Sequence, residues 1–124
     1  MMKLGAFSLS LNVENIQDSY AFYRKLGFEM MGGNLDQKWV IMRSEQTVIG
    51  LFEGMIDEDI ITFNPGWNQE AENIDVYDDV RHIQKHLIAE NIELIKKANE
   101  ETEGPEHIML RDPDGHLIMF DQHR

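Results

Sequence analysis

Cysteine is absent from this chain of 124 residues. Without a thiol the protein can form no disulfide, no thiolate zinc site and no cysteine nucleophile. Long apolar runs are missing as well. The N-terminal sequence MMKLGAFSLSLNV has no signal-peptide core, and no segment approaches membrane-spanning length. We therefore expect a soluble, cytoplasmic protein that makes no membrane contacts.

Basic residues are scarce, since 11 Lys and Arg stand against 23 Asp and Glu and give a formal net charge of −12. This charge repels nucleic acid and favours cationic partners. Phosphate-binding loops, dinucleotide fingerprints and hydrolase elbows are also absent. The composition thus favours a cationic partner and excludes nucleic acid, but charge alone does not name the ligand.

Two segments of the chain resemble each other at an offset of 64 residues, VENIQDSYAFYRKLGFE and YDDVRHIQKHLIAENIE. Each begins with a polar N-cap candidate, Asn15 or Asp79, and continues with apolar residues at helical spacing. Each ends at a residue that tolerates left-handed backbone, Gly27 or Asn91. The repeat predicts two amphipathic helices in equivalent settings.

Strand patterns surround both helices. AFSLSLNV alternates between an apolar face, which should pack on the first helix, and a polar face with Ser8 and Ser10. FEMMGG, KWVIMRS and TVIGLFEG follow the first helix, and IELIKKA, EHIMLRD and HLIMFDQ follow the second. Each half thus predicts strand–helix–strand–strand–strand in an α+β fold. We expect one domain over residues 1–124, with modules at about 4–54 and 68–122 and a connector, 55–67, that contains the turn signal NPG.

With these segments in this order, the chain resembles the vicinal oxygen chelate superfamily of glyoxalase I, bleomycin-resistance proteins and extradiol dioxygenases. The resemblance rests on NVENIQDSYAFYRKLGFE, TVIGLF, the helix after YDDV and the closing DPDGHLIMF, and covers nearly the whole chain. The FNPGW segment and the closing DQH are similar to an uncharacterised glyoxalase-like subgroup. The resemblance implies two tandem βαβββ modules that form a curled mixed sheet around a cup-shaped cavity, and a homodimer.

In the superfamily's metalloenzymes the first and last strands of each module supply four metal ligands, typically His and Glu. Carried over, these positions fall on Ser8, Gly50 and Met119. The fourth falls on Glu72 if no gap is allowed, or on Asn73 if strand alternation decides. Glycine has no side chain and a thioether is a poor ligand for hard metals. We therefore expect no metal and no other cofactor, and no standard metal-dependent glyoxalase or dioxygenase activity.

Further candidates are aromatic or titratable. Trp39 and Trp67 suit the walls of a pocket for planar ligands, and equally suit core or dimer contacts. His107, on the penultimate strand, could act as an acid or base with Glu72, or be an ordinary hydrogen-bonded strand histidine. The other histidines are expected at the surface: His82, His86, His116 and His123.

The sequence thus favours a metal-independent small-molecule binding protein, similar to the bleomycin-resistance branch, that sequesters a cationic or aromatic ligand. Glycine at position 50 is expected to leave room in the cavity. The alternative is a lyase- or dioxygenase-like enzyme with displaced metal ligands or metal-free acid–base chemistry; a third hypothesis is a structural dimer. The predicted ligand-binding residues are Ser8, Ser10, Trp39, Gly50, Phe52, Trp67, Asn73 and Met119.

Overall fold

The computed structural model describes residues 2–124. Over this range the fold is α+β, as predicted, with two α-helices and seven strands. The chain divides into two compact units, a first unit of residues 8–60 and a second unit of residues 2–7 and 61–124. The elements are β1 (Ala6–Asn12), α1 (Ile16–Lys25), β2 (Glu29–Asn34), β3 (Trp39–Ser44), β4 (Thr47–Phe52), β5 (Ile60–Asn64), α2 (Val80–Ala89), β6 (Glu106–Arg111) and β7 (Leu117–Gln122).

In the first unit the strands are ordered β2-β3-β4-β1. Strands β1 and β4 are parallel, whereas β2–β3 and β3–β4 are antiparallel. Helix α1 covers one face of this sheet, where Ile16 packs with the fully buried side chains of Val40, Met42 and Leu51. Because strand residues alternate between faces, the neighbours of these core residues lie on the face opposite α1.

In the second unit the strands are ordered β5-β7-β6. Val80 and Ile83 of α2 are fully buried and pack in one cluster with Ile108 and Phe120 of the sheet. Phe63 of β5 stacks on Phe120 with ring centroids 5.3 Å apart. The apolar positions at helical spacing therefore form the core of this unit, as the sequence predicted.

The two helices begin and end in the same way, which confirms the repeat. The side chains of Asn15 and Asp79 accept hydrogen bonds from backbone N–H groups of the first turn. After the helices, Gly27 and Asn91 have φ values of 102° and 63°. In both cases the next residue donates a backbone hydrogen bond five residues back into the last turn. This is the closure expected of a helix that ends in a left-handed residue.

The second half differs from the sequence prediction at two places. Strand β5 lies inside the predicted connector 55–67, and the segment predicted as the fifth strand forms only an isolated bridge between Trp67 and Asn73. Pro65 has no N–H and Gly66 has φ of 88°, so the extended chain ends at Asn64. The strand expected at IELIKKA is likewise a single bridge between Lys96 and Met109, and two of its large apolar side chains, Ile92 and Ile95, are exposed.

Both helices are ten residues long. Within residues 2–124, neither is long and apolar enough to cross a membrane.

Candidate functional site

Four of the predicted ligand-binding residues lie together on the face of the first sheet opposite α1. Ser10 is the parallel neighbour of Gly50, and Trp39 is the antiparallel partner of Phe52. Ile41, the partner of Gly50 on β3, completes the group. We call these five residues the Trp39–Phe52 patch. Ser10 is buried, whereas Trp39 and Phe52 are half-buried. Alternation along β1 places Ser8 on the same face.

The space above Gly50 is not vacant. A Cβ atom added at this position would lie 2.6 Å from Cε2 of Phe52 and 3.2 Å from Cδ1 of Ile41. Residues 50 and 52 share a face of β4, and without a side chain at residue 50 the Phe52 ring covers the backbone there. The expectation that Gly50 leaves open room was therefore wrong.

In the second unit, Met119 lies on the face of the sheet opposite α2. It is half-buried on β7 and is the antiparallel partner of Met109. Like Gly50 in the first unit, it lies on the last strand of its unit and on the face away from the helix. His107 and Asp121 form another antiparallel pair on the same face, two residues from Met109 on β6 and two residues from Met119 on β7.

The fourth strand position belongs to β5, because β5 is the strand next to β7. Phe63 packs into the core with α2, so alternation places the buried Thr62 on the opposite face. Neither Glu72 nor Asn73 lies on this strand, and the prediction that one of them occupies the fifth strand was wrong. The apolar stretch ITF immediately before the NPG turn was the signal for the correct strand.

The superfamily's metalloenzymes imply a divalent metal, and the chemistry of the four strand positions tests whether one fits. They carry Ser8, Gly50, Thr62 and Met119. This set contains two hydroxyls and a thioether, but no imidazole or carboxylate, which are the usual ligands of a catalytic divalent ion. Over residues 2–124 no group of three or more His, Asp or Glu side chains is arranged to hold a metal ion. The residues at these positions do not fit the metal of the superfamily's enzymes.

Trp67 and Asn73, both predicted to bind ligand, contact each other in the loop between β5 and α2. The indole Nε1–H of Trp67 donates to Oδ1 of Asn73 at 3.0 Å, and the two residues form a backbone bridge. Glu72 is engaged within the same loop, where its carboxylate accepts a hydrogen bond from the Asn68 amide at 3.2 Å.

His123 makes a contact that the sequence prediction missed. Its ring stacks on the Trp67 indole with centroids 4.6 Å apart and planes inclined by 10°. Its Nε2 lies 3.1 Å from Oδ2 of Asp121, and the residue is exposed, as predicted, with a side-chain exposure of 45%. The Asp121 carboxylate raises the pKa of His123 above its ordinary value, although partial burial acts in the opposite direction. The i, i+2 spacing of Asp121 and His123 in the closing DQH was the available signal.

The remaining histidines have simpler surroundings. His82, His86 and His116 are exposed, as predicted. His107 is half-buried, and its Nδ1 lies 3.9 Å from a carboxylate oxygen of Glu106. His107 and Glu72 thus have separate local partners, and no contact between them supports the predicted acid–base pair.

A cleft of about 530 Å³ opens at the N-terminus of α2 in the second unit, and none of the predicted ligand-binding residues lines it. Its charged groups are largely paired with one another. Arg81 lies 3.1 Å from Asp79, and Lys85 lies 3.7 Å from Glu100. The cleft therefore offers little net charge to a ligand.

Comparison with known proteins agrees with this architecture. The family model described as Glyoxalase/Bleomycin resistance protein/Dioxygenase superfamily matches residues 5–120. The chain belongs to this superfamily. No curated protein matches the sequence significantly.

Solved structures show the same fold at low sequence identity. A superfamily member from Vibrio splendidus 12B01 is 18% identical with a TM-score of 0.63, and the alignment covers 94% of this chain and 97% of that one. A Legionella pneumophila protein named NAD-dependent benzaldehyde dehydrogenase is 14% identical with a TM-score of 0.70, covering 95% and 99%. Homoprotocatechuate 2,3-dioxygenase from Brevibacterium fuscum is 12% identical with a TM-score of 0.55, covering 99% of this chain and 33% of that one.

Proposed function

We propose that this protein is a metal-independent small-molecule binding protein of the glyoxalase/bleomycin-resistance type, which sequesters a planar, cationic organic ligand. The observation that carries the proposal is the chemistry of the four strand positions. Two of these positions carry hydroxyls, one carries a thioether and Gly50 has no side chain, whereas the metalloenzymes have imidazoles and carboxylates there. The metal-dependent reactions of the superfamily need a ligand set that these residues do not supply.

The aromatic side chains support a planar ligand. Trp39 and Phe52 are cross-strand partners and both are half-buried, so part of each ring surface is accessible. Binding sites for organic ligands typically combine such apolar walls with a few polar groups, and Ser10 lies in the same patch. Trp67 and Asn73 give the second unit a similar pairing of an aromatic ring with an amide.

The charge of the protein supports a cationic ligand. A net charge of −12 on a chain of this size attracts cations at long range and repels anions. This attraction weakens as salt screens it. We also propose that the protein acts as a homodimer in the cytoplasm, because sheet edges favour pairing of chains and the N-terminal sequence has no signal-peptide core.

Titration with planar compounds tests the function. A panel of planar cations and their neutral analogues is added to the protein, and binding is followed by calorimetry and by quenching of tryptophan fluorescence. We expect cations to bind more tightly than neutral analogues, and the difference to shrink as salt rises. Trp39→Ala should weaken binding about tenfold, which corresponds to roughly 1.4 kcal/mol.

Lys85→Ala is the matched control, because Lys85 is an exposed residue of α2 remote from the Trp39–Phe52 patch in sequence. It should leave the affinity unchanged. If no planar compound binds at millimolar concentration, the proposed function is wrong. If planar cations bind but Trp39→Ala and Lys85→Ala affect binding equally, the Trp39–Phe52 patch is not the binding site.

A further inference from the structure

The C-terminal residues hold the loop between β5 and α2. The guanidinium of Arg124 donates to the carbonyl oxygens of Gly66 and Ile74 at 3.0 and 2.7 Å. It also lies 4.2 Å from the centre of the Tyr77 ring. On the other side of His123, the buried amide of Gln122 donates to the carbonyl oxygen of Arg124 at 3.0 Å. Both neighbours of His123 are therefore fixed, which places its side chain beside the loop.

The surroundings of the His123 imidazole are those of a bound planar cation. One side is the Trp67 indole, nearly parallel and 4.6 Å away, and at the edge is the Asp121 carboxylate, 3.1 Å from Nε2. The indole is itself held by Asn73, and the backbone carbonyl of Asp121 is held by the Asn64 amide at 2.9 Å. An indole face with an adjacent carboxylate is a favourable combination for an organic cation.

We propose that Trp67 and Asp121 form a binding site for a planar nitrogen cation, and that the protonated His123 ring occupies this site in the absence of ligand. The imidazolium occupies the position that the ligand would take. A ligand must therefore displace the imidazolium before it can stack on Trp67. The class of ligand in this inference, a planar cation, rests on the proposed function. The new elements are the binding site at Trp67 and Asp121 and the dependence of binding on pH.

The dependence on pH follows from the charges around the imidazole. Protonated His123 is attracted as a cation by Asp121 and by the indole face. Neutral His123 retains only an uncharged hydrogen bond and an uncharged stack, so both attractions weaken. Because the pKa of His123 is raised, the protonated form persists above its ordinary titration range near pH 6.5. Deprotonation lowers the cost of displacing the imidazole from the Trp67 face and leaves Asp121 without a counter-charge. External cations should therefore bind more tightly at high pH.

Other charged groups around the site have partners of their own. On β6, His107 is opposite Asp121, and Glu106 binds Lys96 at 2.7 Å. In the loop, Glu72 accepts from Asn68, and in the tail Arg124 binds backbone carbonyls. His107 is the other imidazole near the site, so its contribution is tested separately.

The first experiment examines the protein without ligand. In a Trp39→Phe background Trp67 is the sole tryptophan, since the chain has two. Its emission is followed from pH 5 to pH 9. We expect quenching by the stacked imidazolium at low pH and a rise in emission with a midpoint above 6.5. His123→Gln should remove this transition, and Asp121→Asn should move its midpoint to lower pH.

His116→Gln is the matched control, because it removes another histidine–aspartate pair, His116 with Asp112 at 2.7 Å, on an exposed turn. It should leave the transition unchanged. If His123→Gln retains the transition, or if His107→Gln rather than His123→Gln removes it, the proposed occupancy by His123 is overturned.

The second experiment adds 1-methylquinolinium, a permanently charged planar cation, with quinoline as the neutral control at the same pH. We expect 1-methylquinolinium to bind the parent protein several-fold more tightly at pH 8.5 than at pH 6. His123→Ala should remove this difference by raising the affinity at pH 6, and Asp121→Asn should weaken binding at pH 8.5.

The two proposals fail in different ways. If 1-methylquinolinium binds but is insensitive to His123→Ala and Asp121→Asn, the Trp67 site is wrong while the proposed function stands. A second outcome is that Trp67 emission titrates through His123 but 1-methylquinolinium binds at neither pH. The stack would then be correct, but Trp67 and Asp121 would not form a site for external cations. The lack of binding would also count against the proposed function.

Discussion

The ring of Phe52 lies over the backbone of Gly50, two residues earlier on the same face of β4. The closest approach of a Cβ atom built at Gly50 to this ring would be 2.6 Å. Glycine at position 50 therefore accommodates a neighbouring side chain of the protein itself. A ligand can reach the backbone of Gly50 only if Phe52 moves, so we expect substitutions at Gly50 and Phe52 to be energetically coupled.

Gly50→Ala should destabilise the protein by about 1 kcal/mol, the low end for overpacking, because the added methyl group displaces the Phe52 ring but this ring is half-buried and can move. The free energy of unfolding in urea measures this loss. In a Phe52→Ala background the same substitution should cost much less. Gly32→Ala is the matched control: a Cβ at Gly32 meets nothing within 4 Å, and its φ is not positive. Equal effects of the two substitutions would contradict the packing of Phe52 over Gly50.

Protein purified without chelator should contain far less than one equivalent of zinc, nickel, iron or manganese. The reason is that Ser8, Gly50, Thr62 and Met119 offer no imidazole or carboxylate ligand. Elemental analysis after dialysis measures the content. Stoichiometric metal that survives dialysis would show that other side chains hold it, and His107 and Asp121 would be the first to replace.

Arg81→Lys should destabilise the protein by roughly 1.5–3 kcal/mol, since lysine cannot reproduce the planar guanidinium. Arg81 is buried and donates to the carbonyl oxygens of Asn99 and Gly104 and to the Thr102 hydroxyl at 2.9–3.1 Å. Thermal or urea unfolding measures the loss. Arg24→Lys, at an exposed position of α1, should change stability by less than about 0.5 kcal/mol. A similarly small effect at Arg81 would mean that this network contributes little.

Glu106 should contribute to the loss of stability in acid. Hydrogen bonds from Lys96 and from the backbone N–H groups of Asn99 and His107 lower the pKa of Glu106 to about 2. Its folded-state pKa lies below its ordinary value of 4.5, so its contribution is fully present above pH 4.5 and is lost as the pH falls towards 2. Glu106→Gln should reduce stability at pH 7 and flatten its dependence on pH below 4.5. A variant whose acid unfolding curve coincides with that of the parent would refute this role.

In solution we expect a homodimer, with a mass about twice the 14.5 kDa of the chain. Large apolar side chains such as Phe22 and Leu26 on α1 are more than half exposed, and contact between copies of the chain would remove such surface from water. Light scattering at micromolar concentration measures the mass. A monomer under these conditions would contradict the expectation.

The sequence by itself determined the local structure of both helices. Asn15 and Asp79 cap them, and Gly27 and Asn91 end them, because capping and left-handed backbone depend on residues within one turn of each other. The alternation of small and apolar residues likewise placed Ser10, Gly50 and Met119 on the faces opposite the helices. Periodicity of two residues fixes the face once a strand exists.

Only the tertiary structure decided which apolar stretch of the second half forms a strand and what contacts Trp67. ITF and the stretch around Asn73 are both short, so the local sequence does not decide which of them forms the strand. ITF becomes β5 because it pairs next to β7, with contacts such as the stack of Phe63 on Phe120. His123 lies 56 residues from Trp67 in the sequence, and no local pattern specifies a contact over that separation. Their stack depends on the hydrogen bonds that hold the tail to the loop, and these form only when the chain has folded.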